Sequence, residues 1–135
     1  MMDVAAPEPG IASGNENVVD ACVHVLRQAP AALVTDIDGT ISAIAPTPFE
    51  AIVDAGALAA LDRLTKLLRV VAVVSGRAPG AGAAMVGLPE LIYIGNHGME
   101  RIARGVAWTH PAAEAARAPL AAALAEIEAR IREVE

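Results

Sequence analysis

"LVTDIDGTI", Leu33 to Ile41, decides the fold: an apolar run with β-branched residues stops at two aspartates one residue apart and turns at once into Gly-Thr. A short apolar run that ends in this way, beginning in "AALVTD", reads as a strand buried on both faces. Residues two apart on a pleated strand point to the same side, so Asp36 and Asp38 project together from its mouth.

The pattern repeats downstream. "DAGALAALDRLTKLLR" spaces Leu58, Leu61, Leu64 and Leu68 for a helix, with Asp54 as its N-cap and basic residues near its far end. "VVAVVSGR" gives a second buried strand, "APGAGAAMVGL" a short helix weakened by glycines, and "ELIYIGNHG" a third strand ending in a polar turn. Upstream, "NENVVDACVHVLRQAP" sets Val18, Val19, Cys22, Val23 and Leu26 at helical spacing before Pro30, while "ISAIAPTPFEAIV" with its two prolines reads as a loop. Strands alternating with helices, each strand nearly continuous in apolar residues, predict an α/β fold: a Rossmann-like parallel sheet with flanking helices. Polar residues fall at each strand's carboxyl end: Asp36 and Asp38, Ser75 and Arg77, Asn96 and His97. Open parallel sheets bind ligands at those ends, so three separate segments converge on one expected site.

Composition narrows the function classes. In 135 residues with 55% hydrophobic content the chain can bury one core, and aromatics at 2% mean that Ala, Val, Leu and Ile build it. A net charge of −6 with scattered arginines argues against nucleic acid as a partner. The single cysteine, Cys22, allows no internal disulfide or Cys-rich zinc site and is expected in the core; His24 beside it is expected on the surface or in packing. Residues 1–15 read as a disordered tail with neither a basic segment nor an apolar core of a leader, and no stretch approaches the roughly 20 apolar residues of a membrane span. A soluble, cytoplasmic protein without membrane contact is expected.

Paired carboxylates at a strand mouth suit phosphomonoester hydrolysis in two displacements: one attacks phosphorus to form an acyl-phosphate, while the other protonates the leaving alkoxide and then activates water. Two carboxylates beside a phosphate dianion repel it, so a divalent cation is needed, and Mg2+ suits the oxygen ligands. Gly39 permits a sharp turn that brings backbone amides towards the phosphate. A calcium loop is the competing reading of "DIDGT", but its glycine falls at the fourth position and its twelfth is Thr47, not glutamate. "VVSGR" offers the Ser75 hydroxyl and Arg77 guanidinium around Gly76 for phosphoryl oxygens; an ordinary Ser-Gly turn with a surface arginine is the alternative. "GNHG" reads equally as a loop with an exposed imidazole or as a hinge or substrate contact.

"TDIDGTISAIAPTP", "VAVVSGR" and "YIGNHGME", in this order and spacing, resemble the haloacid dehalogenase superfamily and, within it, the trehalose-6-phosphate phosphatases. The resemblance covers about Ala31 to Arg101. It implies that Asp36 is the nucleophile and a magnesium ligand, and that Asp38 is the general acid/base and gives the metal its backbone carbonyl. It further implies that Thr40 supports the motif, Ser75 binds the phosphoryl group and Arg77 helps set the electrostatics. Asn96, His97 and Gly98 would sit where the core hands over to a cap domain. On this basis residues 16–98 are the N-terminal part of the α/β core, and residues 99–135, a hairpin turning at "ARG" and a helix carrying Leu120, Leu124, Ile127 and Ile131, start an α/β cap.

The resemblance also implies a later lysine and a later acidic pair that complete the magnesium site. The only lysine is Lys66, ahead of the second motif, and no aspartate follows Asp62. Arg130 and Arg132 lie on the cap helix, where they do not replace the lysine. The expectation is an N-terminal portion of a phosphatase, weakly active or inactive alone, that in intact form dephosphorylates trehalose 6-phosphate. The alternatives are another capped sugar-phosphate phosphatase, of the sucrose phosphate or phosphomannose type, and a non-catalytic fragment that joins a complementary chain. An incomplete sheet edge also predicts self-association.

Overall fold

The computed structural model of the chain describes residues 17–132; the tail expected over residues 1–15 lies outside them. The described residues fall into two compact units, divided between Ala31 and Ala32. In the first, α1 (Val18–Leu26) starts at Asn17, whose side chain accepts a hydrogen bond from the Val19 amide at 3.1 Å. The helix forms where its periodicity places it, yet none of its residues is buried, and Cys22 is exposed rather than in the core. Helical spacing creates an apolar stripe; whether anything covers the stripe depends on a partner surface that periodicity does not encode.

The second unit begins with β1 (Ala32–Thr35), followed by α2 (Ala55–Thr65), β2 (Val70–Val74), α3 (Pro79–Val86) and β3 (Ile92–Gly95). A single 3-10 turn, Asn96–Gly98, leads into β4 (Glu100–Ala103), β5 (Val106–Thr109) and α4 (Pro111–Arg132). One sheet holds all the strands in the order β1-β2-β3-β4-β5. β1, β2 and β3 are parallel neighbours, and the β4–β5 hairpin continues from β3 in antiparallel register, with Ile94 opposite Arg101 and Arg101 opposite Trp108. The parallel part of this mixed sheet is the Rossmann-like arrangement expected.

Local chemistry explains the elements. Asp54 caps α2 by accepting from the Ala57 amide at 2.9 Å, and Leu61 plants that helix in the core. α3 survives its glycines because Pro79 opens it, Gly87 closes it at φ 74, and Gly82 lets it approach Ile37 and Tyr93. The core is Ile37, Ile41, Leu61, Val71, Val73, Val86, Leu91 and Tyr93, with the Tyr93 hydroxyl donating to the Leu88 carbonyl at 2.7 Å. Burial pushes the Tyr93 hydroxyl pKa up, the Leu88 bond only partly opposing it.

β1 departs from its expected burial. It pairs only with β2, its residues alternate between exposed and half-buried, and Val34 is 61% exposed. The expected burial on both faces fails: Ala32 and Val34 stay exposed on one face, and β1 is an edge strand among the described residues. α4 carries Leu120, Leu124, Ile127 and Ile131 as expected, yet it includes Pro119 and buries no residue. No helix among the described residues is long and apolar enough to cross a membrane.

Candidate active site

The carboxyl end of β1 is closed by a tight turn. The amides of Thr40, Ile41 and Ser42 all donate to the Ile37 carbonyl, at 3.2, 3.1 and 3.0 Å, and the Gly39 amide donates to the Ser42 carbonyl at 2.8 Å. Gly39 holds φ 81, the left-handed region in which a side chain is strained. Ile37, fully buried, anchors the turn from below, while Asp36, Asp38 and Thr40 on either side stay exposed. The Asp36 carboxylate accepts the Ile37 amide through Oδ1 at 2.7 Å; among the described residues its Oδ2 has no hydrogen-bond partner.

Asp38 is joined to the next strand end. Arg77, at the mouth of β2, donates to it from Nε at 2.8 Å and from Nη2 at 2.7 Å, a bidentate pair. Its Nη1 donates to the Pro48 carbonyl at 2.7 Å, so one guanidinium links both strand mouths and the loop between them. The hydrogen bond from Arg77 holds the Asp38 carboxyl below its ordinary value, against a smaller opposing effect of desolvation. Asp38 keeps 40% of its side chain exposed, so water screens the pair.

The remaining segments meet this pair in part. Ser75 is buried, and its Oγ accepts from the Arg77 amide at 3.2 Å. A Cβ placed on Gly76 would sit 3.2 Å from the His97 ring, so the β2 and β3 mouths are in contact there. Asn96, His97 and Gly98 form a left-handed turn at φ 49, 55 and 90. The Asn96 amide donates to the Arg77 carbonyl at 2.9 Å. Its side chain donates to Glu100 at 2.8 Å, and Glu100 in turn accepts from Arg117 of α4 at 3.0 Å.

A cleft of about 490 Å³ opens beside Asp38, Gly76 and Arg77, walled by Ile44, Pro46, Thr47 and Pro48 of the proline-rich loop. Asp36, Gly39, Thr40, Ser75, Asn96, His97 and Gly98 do not line it. Four contributors escaped the sequence. Pro48 acts through a backbone carbonyl, which no motif displays. Glu100 and Arg117 belong to no pattern until the hairpin brings them together. Gly95 had a visible signal, the first glycine of "GNHG": a Cβ there would overlap the Arg77 carbonyl and the ring of Pro79.

Among the described residues no three His, Cys, Asp or Glu side chains gather at one point. The donors present are oxygens, as a hard divalent cation requires: the Asp36 carboxylate and the Asp38 backbone carbonyl. Oxygen donors of this kind suit a hard divalent cation that keeps water among its ligands, and among the described residues they form no closed protein cage.

The trehalose-phosphatase family model matches residues 34–133. A trehalose-phosphate phosphatase of Mycobacterium ulcerans is 40% identical over 101 residues, which are 74% of this chain and 26% of that protein. One from Mycobacterium tuberculosis is 39% identical over the same shares. A probable trehalose-phosphate phosphatase G of Arabidopsis thaliana is 34% identical over 87 residues, 62% of this chain and 23% of that one. The chain thus spans about a quarter of the length of the curated relatives it matches. The crystal structure of a trehalose-6-phosphate phosphatase related protein shares the fold, with a TM-score of 0.64 at 20% identity over 76% of this chain and 44% of that one. By its sequence, this chain belongs to the trehalose-phosphatase family.

Proposed function

We propose that this chain carries the nucleophile-bearing part of a phosphatase of the haloacid dehalogenase type, cytoplasmic and acting on trehalose 6-phosphate. Family membership supports the substrate, and one observation carries the chemistry: Arg77 reaches across from β2 to Asp38, so that two strand mouths meet within one turn of Asp36. A carboxylate oxygen of Asp36 bonds to phosphorus as the phosphorus–oxygen bond to the sugar breaks, and the leaving alkoxide takes a proton from Asp38. Asp38 then removes a proton from water, whose oxygen displaces Asp36 and releases phosphate. Arg77 and the Ser75 hydroxyl hold phosphoryl oxygens while charge redistributes, assisted by the Gly39 and Gly76 turns. Mg2+ at Asp36 and the Asp38 carbonyl would neutralise charge between carboxylate and phosphate.

Asp38 has a task in each proton state. Paired with Arg77 it stays ionised, the form that accepts a proton from water. As the acid it must carry a proton, which requires the pair to loosen. Residues 16–98 serve as the first part of the core and residues 99–135 as the start of the cap, with Asn96, His97 and Gly98 at the handover.

The test is phosphate release from trehalose 6-phosphate, sucrose phosphate and mannose 6-phosphate, with and without Mg2+. The purified chain alone should release little, because the resemblance calls for a lysine and an acidic pair that no residue here supplies. Mixed with the remaining segment of a mycobacterial relative, it should act on trehalose 6-phosphate first and lose that activity with Asp36→Asn. Magnesium-dependent turnover by the chain alone, abolished by Asp36→Asn, contradicts the half-site reading. Preference for another sugar phosphate rejects the substrate. The open edge of β1 favours a second reading, a non-catalytic chain that associates through that edge, and it gains support if no mixture turns over although the chains bind.

A further inference from the structure

A second cavity, about 770 Å³, opens at the amino ends of β2 and β3, at the far end of the sheet from Asp36. Its volume lies in the range of small-molecule sites. Leu68, Val71 and Ile92 supply apolar surface, and three arginines, Arg69, Arg101 and Arg104, line it against one acid, Glu90. This is unusual placement for a chain of net charge −6.

The pairing pattern sharpens the contrast. Arg69, Arg101 and Arg104 make no ion pair among the described residues, as Arg27 and Arg63 also do not, whereas Arg77, Arg117 and Arg130 do. Arg101 lies over the Trp108 ring at 5.6 Å, a contact that orients its guanidinium without neutralising it. Arg104 supplies an independent sign. It occupies the first position of the β4–β5 turn at φ 51, followed by Gly105 at φ 75, a geometry that selects Asn, Asp or Gly. A long cationic side chain kept in a disfavoured conformation at a cavity rim suggests a use for its charge. The carboxyl end of α2, at Thr65, adds partial negative charge, which with Glu90 opposes any anion and leaves the attraction to the three arginines.

We propose that this cavity binds a small organic molecule bearing two or more oxyanion groups, phosphate or carboxylate, separately from the strand mouth. The guanidinium groups grip the anionic groups, and the apolar surface takes the body between them.

The test is an amide and arginine Nε–H NMR titration of the whole chain with pyrophosphate and, separately, citrate. Saturable shifts at Arg69, Arg104 and Gly105, with a dissociation constant of about 1 mM or below, are expected for at least one probe. The probe that binds tighter assigns phosphate or carboxylate. Arg104→Gly, which suits the turn better than the native residue, should leave the fold intact and weaken binding roughly tenfold, as should Arg69→Ala. The proposal is overturned by shifts confined to Gly39 and Gly76, by unsaturated shifts spread equally over Arg63 and Arg130, or by undiminished binding in both variants.

Discussion

Gly95→Ala and Gly80→Ala add the same methyl group and should move stability in opposite directions. At Gly95 the new Cβ would overlap three atoms, the Arg77 carbonyl oxygen and the nitrogen and Cδ of Pro79, and two of these are backbone. Neither can rotate away, so the β3 mouth must part from the Ser75–Pro79 turn, stretching the Asn96 amide bond to Arg77. Overpacking of this kind costs about 2–3 kcal/mol. For a domain of this size that lowers the melting temperature by roughly 8–12 °C. At Gly80, in the first turn of α3, a Cβ meets nothing within 4 Å, and the gain in helix propensity is about 0.5 kcal/mol. The assay is paired urea denaturation of the two variants, with the Asn96 amide followed by NMR. If Gly95→Ala falls within about 0.5 kcal/mol of the native chain, or Gly80→Ala loses as much as Gly95→Ala, then backbone contact between the strand mouths does not govern stability there.

Ile37→Ala removes a fully buried side chain from beneath the aspartate turn and should cost about 3–4 kcal/mol by denaturation, far more than a surface change such as Phe49→Ala. Arg77→Ala should return the Asp38 carboxyl towards the ordinary value of 3.8, read by carboxyl NMR titration. Because the pair lowers the folded pKa, its stabilisation exists above that ordinary value and fades as pH falls through the folded one. The variant should therefore lose less stability on acidification than the native chain, and an unchanged Asp38 titration would contradict the pairing. Val34→Lys places a charge on the open edge of β1 and should abolish any concentration-dependent association in sedimentation; association that survives it runs through another surface.

What was legible in the sequence followed from local physics. Asp54 heads α2 because a carboxylate accepts a free amide, and β2 is buried as its unbroken valines imply, Val71, Ala72 and Val73 all lying inside. Asp36, Asp38, Ser75 and Arg77 stood at strand ends because a parallel sheet puts them there. The misreadings concern partners. The apolar run of β1 was compatible with cover on both faces, and the Cys22 stripe with a covering surface, but neither segment specifies what covers it. The pairing inside the site was hidden for a related reason: the Asp38 contact spans 39 residues of sequence, and the Pro48 acceptor is a carbonyl shared by every residue type. Arg104 lies outside any catalytic motif and stands out only when its backbone angle is seen.

The paired hydrogen bonds from Arg77 to Asp38 have a consequence for any ligand of that mouth. A guanidinium has five N–H groups, and three of Arg77's are already taken, two of them by a carboxylate whose shape imitates one edge of a phosphate. The chain carries its own competitor, tethered and always near. An incoming oxyanion meets a fork filled from within, and its apparent affinity is its intrinsic affinity scaled by the fraction of time that fork stands open.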